Sequence, residues 1–257
     1  MPNHRIDLEY DGTDFRGWQV QPGQRTVQGE LKRVLERIFQ EEIHLVGAGR
    51  TDAGVHALAQ VASFATRASR RSAPVLRGLN AMLPRDIRVL RVSEVPFGFS
   101  ARHDALSRSY RFQMLRTPSA LWNRFFFLLP SDVDVDAMSA AAALLVGEHD
   151  FTAFVASDAG DRCSCVVERS VVTGDGSAIR FEITANRFLH NMVRRLAGFL
   201  VEVGRGRLAP QDVSEILRTR DRNRGGPCLP PNGLFLVEVR YPESLEPRLV
   251  DDAGVSP

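Results

Sequence analysis

Along the first ten residues, apolar Ile6, Leu8 and Tyr10 alternate with Asp7 and Glu9 until Asp11-Gly12 breaks the run, which predicts a half-buried strand over 5–10. The period then changes. Val27, Leu31, Val34, Leu35 and Ile38 recur at helical spacing behind Thr26, a residue suited to N-capping, and predict an amphipathic helix. Short apolar runs at 43–47 and 58–65 predict strands on either side of a polar, glycine-rich loop. A helix over 73–82 and a strand over 87–92 complete the order β-α-β-β-α-β, which points to a ferredoxin-like antiparallel sheet with helices on one face.

Near residue 100 the pattern restarts. Tyr110, Phe112 and Met114 fall on one face of a strand over 107–115, with Arg111 and Gln113 on the other. Asp134 or Asp136 caps a helix bearing Met138, Ala141, Leu144 and Leu145, and 166–172 pairs with 179–184 as a hairpin across Gly174-Asp175-Gly176. A helix from about His190 to Val203, a short one opened by Pro210 and running through Leu217, and a last strand over 234–241 follow. The fold class expected is therefore α+β, in two ferredoxin-like halves with antiparallel sheets. The division expected is 1–104 for the half carrying the glycine-rich loop, 105–246 for the second half, and a disordered tail over 247–257. The repeated element order suggests a duplication, although no residue-level repeat accompanies it.

At 257 residues and 44% hydrophobic, the chain can bury a sizeable core. Three cysteines are too few and too odd in number for a disulfide framework, and no basic-then-apolar leader opens the sequence, so a cytoplasmic, reduced setting is expected. The most apolar stretches, 125–129 and 140–146, fall well short of the roughly 18 residues that span a membrane. The net charge of +2 does not mark a nucleic-acid binder, but Lys32 is the only lysine. Arginine's planar fork suits phosphate and base stacking, and a GC-rich genome would produce the same excess. Placement of the arginines decides between the two.

Chemistry is concentrated in the loop Gly47-Ala48-Gly49-Arg50-Thr51-Asp52-Ala53-Gly54-Val55-His56. Its glycines permit close backbone approach to a ligand, while Arg50, Thr51, Asp52 and His56 supply charge, donors and a carboxylate. The alternative is a tight turn in which Asp52 caps its own backbone. Upstream, Phe15 and Trp18 flank Arg16 in a segment that either stacks an unpaired base or tucks its rings under the loop as core. In the helix over 190–203, Met192, Leu196, Phe199, Leu200 and Val203 form one stripe, and Arg194 points away from it.

Other motifs fail on inspection. Asp132-Val133-Asp134-Val135-Asp136 begins like a calcium loop but has Ala137 where the turn needs glycine. Gly47-Ala48-Gly49 lacks the third glycine of a dinucleotide fingerprint, and Cys163-Ser164-Cys165 has no partner pair at zinc-finger spacing. No metal or nucleotide cofactor is expected.

The string from Gly49 to Ala57 resembles the active-site signature of the tRNA pseudouridine synthase A family, whose catalytic aspartate corresponds to Asp52. The resemblance extends from residue 15 to 241. Phe15-Arg16-Gly17-Trp18-Gln19 is similar to the family's Phe-x-Gly-Trp-Gln segment. The stretch 100–112 is similar to its second signature, in which Tyr110 stacks on the target base, although His103 replaces the usual Phe. The stretch 188–194 is similar to the third signature, whose arginine, here Arg194, lies beside the carboxylate, and 230–236 to a closing element in which Leu234 lines the base pocket.

This resemblance implies the pseudouridine synthase fold, with the two halves joined around a central active-site cleft. It implies isomerisation of uridine at positions 38, 39 and 40 of the tRNA anticodon stem-loop, without cofactor, by a homodimer holding one tRNA. A base inside a helix is out of reach, so the uridine is flipped out against Tyr110. Arg194 or Arg50 would keep Asp52 ionised, and substrate contacts are expected from Tyr110, Arg50, His56, Leu234, Phe15, Trp18 and Arg16. Arginines 16, 25, 50, 205, 207, 218, 220, 222 and 224 are expected to track phosphates. A non-catalytic RNA-binding module and a metal-dependent phosphoesterase using Asp52 remain the alternatives.

Overall fold

The computed structural model describes residues 1–67, 70–156 and 163–246, so the tail expected over 247–257 lies outside the described residues. The first half runs β1 (Asn3–Tyr10), α1 (Val27–Phe39), β2 (Val46–Gly47), β3 (His56–Ala65), α2 (Ser72–Met82) and β4 (Ile87–Val95). The second runs β5 (Ser107–Leu115), β6 (Phe127–Leu128), α3 (Val135–Ala143), β7 (Gly147–Asp150), β8 (Ser164–Gly174), β9 (Ala178–Ala185), α4 (Met192–Gly204), α5 (Asp212–Thr219) and β10 (Leu234–Arg240).

All ten strands form one mostly antiparallel sheet, with the main order β4-β1-β3-β10-β5-β9-β8-β7. Within it, β4-β1-β3-β2 and β10-β5-β9-β8 are the same antiparallel four-strand arrangement, each built on a β-α-β-β-α-β order. The duplication suggested by element order is thus present in the topology. The halves are fused through β10, the last strand of the chain, which pairs antiparallel with β5 and parallel with β3. The 104/105 boundary falls in the connection between β4 and β5.

One consequence positions the cleft. The same edge of β3 is shared by two partners: Phe235 and Leu236 of β10 pair with His56 and Ala57, whereas Val46 and Gly47 of β2 pair with Ser63 and Ala62. The glycine-rich loop leaves β2 and returns into β3 across the fork between them.

Local structure follows the periodicity closely in most elements. In α1, Val27, Leu31, Val34 and Leu35 are buried, and the Thr26 hydroxyl caps the helix by accepting from the Gly29 amide at 3.3 Å. Asp134 caps α3 by accepting from the amides of Asp136 and Ala137. Asn80 of α2 covers the edge of the sheet, its amide bonding both the Val89 carbonyl (2.8 Å) and the Val89 amide (2.9 Å) of β4.

Other elements differ from the expectation for identifiable reasons. The strand expected over 43–47 shrinks to Val46–Gly47, because side chains take over its ladder: Glu36 accepts from the Ile43 amide, and Gln28 donates to the Leu45 carbonyl at 2.9 Å. Leu144 ends α3 as its C-cap and is 40% exposed, so it does not join the buried face of Met138 and Ala141. Strands β6 and β7, of two and four residues, lie at the margins of the sheet and carry too little alternation to be recognised.

Candidate active site

The loop between β2 and β3 is fixed from below by buried polar groups. Tyr10 shares a 2.8 Å hydrogen bond between its hydroxyl and that of Thr51, and Gln60 donates to the Gly49 carbonyl at 2.9 Å. Burial pushes the Tyr10 hydroxyl up to about 12, partly offset by its bonds to Thr51 and Gln60, so it stays a neutral phenol. The segment 12–18 forms the rear wall, with the Trp18 amide donating to the Thr51 carbonyl at 3.0 Å. Close approach here demands glycine: a Cβ on Gly12 would stand 1.9 Å from the Val55 carbonyl oxygen, and one on Gly17, at φ +89°, 2.7 Å from that of Thr51.

This packing decides the fate of Phe15 and Trp18. Phe15 is 2% exposed and lies under the Arg25 guanidinium, 4.1 Å from the ring centre, so it is core and not a base-stacking residue. Trp18 borders the cleft but is 1% exposed, its indole filling the space where a Gly47 Cβ would come within 2.5 Å. Both rings therefore sit beneath the loop, Trp18 at the wall of the cleft and Phe15 behind it.

Above the loop opens a cleft of about 1310 Å³, lined by Arg16, Arg50, Asp52, Tyr110, Arg194 and Leu234 of the expected residues. Asp52 is 28% exposed. Its Oδ2 lies 3.5 Å from Nη1 of Arg194, and its Oδ1 lies 3.7 Å from Nε2 of His190, which sits on the cleft lip. Arg194 is itself held in place, donating from Nε to the Leu229 carbonyl at 2.7 Å and from Nη1 to Asn191 Oδ1 at 2.8 Å. Asn191, at φ 62°, takes the left-handed turn that starts α4 and brings His190 and Arg194 to the same carboxylate. Sequence reasoning misses His190, although it stands inside the same motif as Arg194.

Tyr110 enters from β5, its hydroxyl over Gly49, and Phe188 meets it edge-on at 5.0 Å. Burial first, then the neighbouring Tyr10 and Asp52, push its hydroxyl well above the usual tyrosine range. The ring borders the cleft with 7% of its surface exposed and carries a neutral hydroxyl.

His56 lies apart from these residues. It is 1% exposed and absent from the cleft lining. Nδ1 accepts from the Gly12 amide at 3.0 Å, Nε2 donates to the Arg124 carbonyl at 3.0 Å, and the ring stacks on Phe235 at 4.6 Å. Through these contacts it rivets β3 to its neighbours. Burial depresses His56 below its ordinary value of 6.5, and His4, buried between Phe39 and Phe64, is depressed for the same first reason.

Both imidazoles stay neutral in the fold, whereas the unfolded chain takes up protons below about 6.5. Stability is therefore expected to be full above that value and to fall as the pH drops below it toward the folded values. Urea midpoints between pH 7.5 and 5 would measure this, and His56→Gln should flatten the decline; a midpoint constant over that range would refute it.

The arginines separate into two groups. Arg25 pairs with Asp86, Arg205 and Arg207 with Glu202, Arg220 with Asp150, and Arg224 with Asp212 and Glu215. Those five phosphate candidates are already engaged by carboxylates. Arg16, Arg50, Arg102 and Arg187 instead line the cleft without a carboxylate partner among the described residues. Their placement favours an anionic ligand over codon usage as the reason for arginine at these positions.

One carboxylate thus stands between an arginine and a histidine, in a cleft rimmed by arginines without a carboxylate partner among the described residues. The family described as tRNA pseudouridine synthase matches residues 8–104 and 141–242. Proteins named tRNA pseudouridine synthase A are 45% identical from Methylococcus capsulatus (93% of this chain, 89% of that one), 44% from Chlorobium limicola (94% and 100%) and 44% from Moorella thermoacetica (94% and 100%). Among solved structures, a chain of a Cbf5-Nop10-Gar1 complex is similar at 12% identity, over 77% of this chain and 54% of that one, with a TM-score of 0.33. The chain belongs to the tRNA pseudouridine synthase family and is an isomerase acting on uridine in tRNA.

Proposed function

We propose that the chain converts uridine to pseudouridine at positions 38, 39 and 40 of the anticodon stem-loop, with the Asp52 carboxylate as the reacting group and no cofactor. The observation that carries this reading is Asp52 held between Arg194 and His190 in the arginine-lined cleft. The choice of positions follows the family signatures in the sequence. The N1–C1′ bond breaks, the uracil turns, C5 joins C1′, and the proton on C5 is replaced by one on N1, so the product is an isomer. An ionised carboxylate beside the sugar serves either as nucleophile at C1′ or as base toward the C2′ proton.

The groups nearest Asp52 are an arginine and a histidine, and among the described residues no set of three His, Cys, Asp or Glu side chains is placed to hold a metal. That donor set favours carboxylate chemistry over the phosphoesterase alternative. Incubating the protein with unmodified tRNA transcripts, with and without chelator, and mapping pseudouridine tests the proposal. Product at 38–40 in both arms is expected; binding without product would favour an RNA-binding module, and loss with chelator a metal enzyme. We place the protein in the cytoplasm as a homodimer, since a stem-loop is broad relative to one cleft, and light scattering of an active monomer would overturn the dimer.

Stacking at Tyr110 makes a separate prediction. Tyr110→Ala is expected to lower kcat/KM by about 5- to 150-fold, equivalent to about 1–3 kcal/mol, the worth of one base stacked on an aromatic ring, while Tyr110→Phe costs little. Equal damage from both would assign the work to the hydroxyl.

A further inference from the structure

Arg108 lies on β5 two residues before Tyr110, on the same face of the strand, and borders the cleft. Its guanidinium has no carboxylate partner among the described residues. Instead it donates to four backbone carbonyls: Ala48 from both Nε (3.2 Å) and Nη2 (2.8 Å), Arg102 from Nη2 (2.6 Å), and Ala105 (3.1 Å) and Asn186 (2.9 Å) from Nη1. Those carbonyls belong to three different walls. Ala48 opens the loop that carries Asp52, residues 102–105 carry Arg102 and His103 of the rim, and Asn186 precedes Arg187 and Phe188.

We propose that Arg108 is a positioning residue for the isomerisation, fixing the Asp52 loop against Tyr110 and Phe188 across the join between the two halves. A guanidinium suits this role because its donors lie in one rigid plane, so the carbonyls it binds are held at set distances; an ammonium is a single point and cannot span them. A misplacement of the carboxylate by a fraction of an ångström lowers turnover without removing any contact to RNA. The proposal rests on the pseudouridine synthase reading, and wild-type activity on a transcript is the control that tests that reading separately.

Arg108→Met and Arg108→Lys are expected to lower kcat by about 10- to 100-fold while KM for tRNA changes little, because a lost charged donor and a shifted loop act on the reacting geometry. Millimolar guanidinium ion, well below denaturing levels, should restore part of the activity of Arg108→Ala and none to Asp52→Asn, with sodium chloride at the same strength as control. Circular dichroism melts accompany each variant. Unchanged kcat in an active wild-type background would overturn the proposal. So would a raised KM at constant kcat, which would make Arg108 a phosphate contact, or a loss that tracks unfolded protein and ignores guanidinium, which would make it packing alone.

Discussion

Asp52→Asn is expected to abolish turnover, with kcat falling at least about 10³-fold, while tRNA affinity and melting temperature stay near those of the wild type. Asparagine keeps the size of the side chain, and its one carbonyl oxygen can still accept from Arg194 Nη1, which lies 3.5 Å from Oδ2, while its amide nitrogen takes the place of the oxygen facing His190. The loop itself does not depend on the carboxylate, being held through Thr51 to Tyr10, through Gly49 to Gln60 and through the Trp18 amide. What is lost is the anion, which neither attack at C1′ nor removal of the C2′ proton can do without. Single-turnover assays with excess enzyme separate chemistry from binding. Near-wild-type product formation by Asp52→Asn would show that another group carries the reaction.

How much of this is legible in the sequence depends on whether one strand or helix is enough to decide it. The strand Ser107–Leu115 is legible because its alternation is complete, and α1 because its stripe and its cap agree. Asp52, Tyr110, Arg194 and Leu234 are placed by motif, and the fold brings them to one cleft. Contacts between distant segments are not legible. Phe15 and Trp18 read equally as stacking residues or as core until Gly12 and Gly17 bring their segment down onto the Asp52 loop and bury both rings. His56 shares a motif with Asp52, yet its register opposite Phe235 turns the ring away from the cleft and into the seam. Arg25 and Arg207 read as phosphate ligands until Asp86 and Glu202 are seen beside them, 61 and 5 residues distant in sequence. The fork on β3 that makes the cleft needs both β2 and the final strand, so no local window contains it.

Arg194→Met should lower kcat by about 10- to 150-fold at neutral pH, the range corresponding to a lost charge-assisted hydrogen bond of about 1.5–3 kcal/mol. The arginine is held in advance: Leu229 accepts from its Nε and Asn191 from its Nη1, which fixes the guanidinium with Nη1 also directed at Asp52 Oδ2. Methionine preserves the aliphatic stem against α4 and removes the positive charge, so the ionised carboxylate loses its favourable neighbour. The loss is therefore expected in kcat, with KM for tRNA little changed. The kinetic split distinguishes two roles for Arg194. A phosphate-binding arginine would raise KM and respond to added salt, whereas an arginine that holds Asp52 changes kcat. An Arg194→Met enzyme with an unchanged rate would limit Arg194 to tying α4 to Leu229 and Asn191.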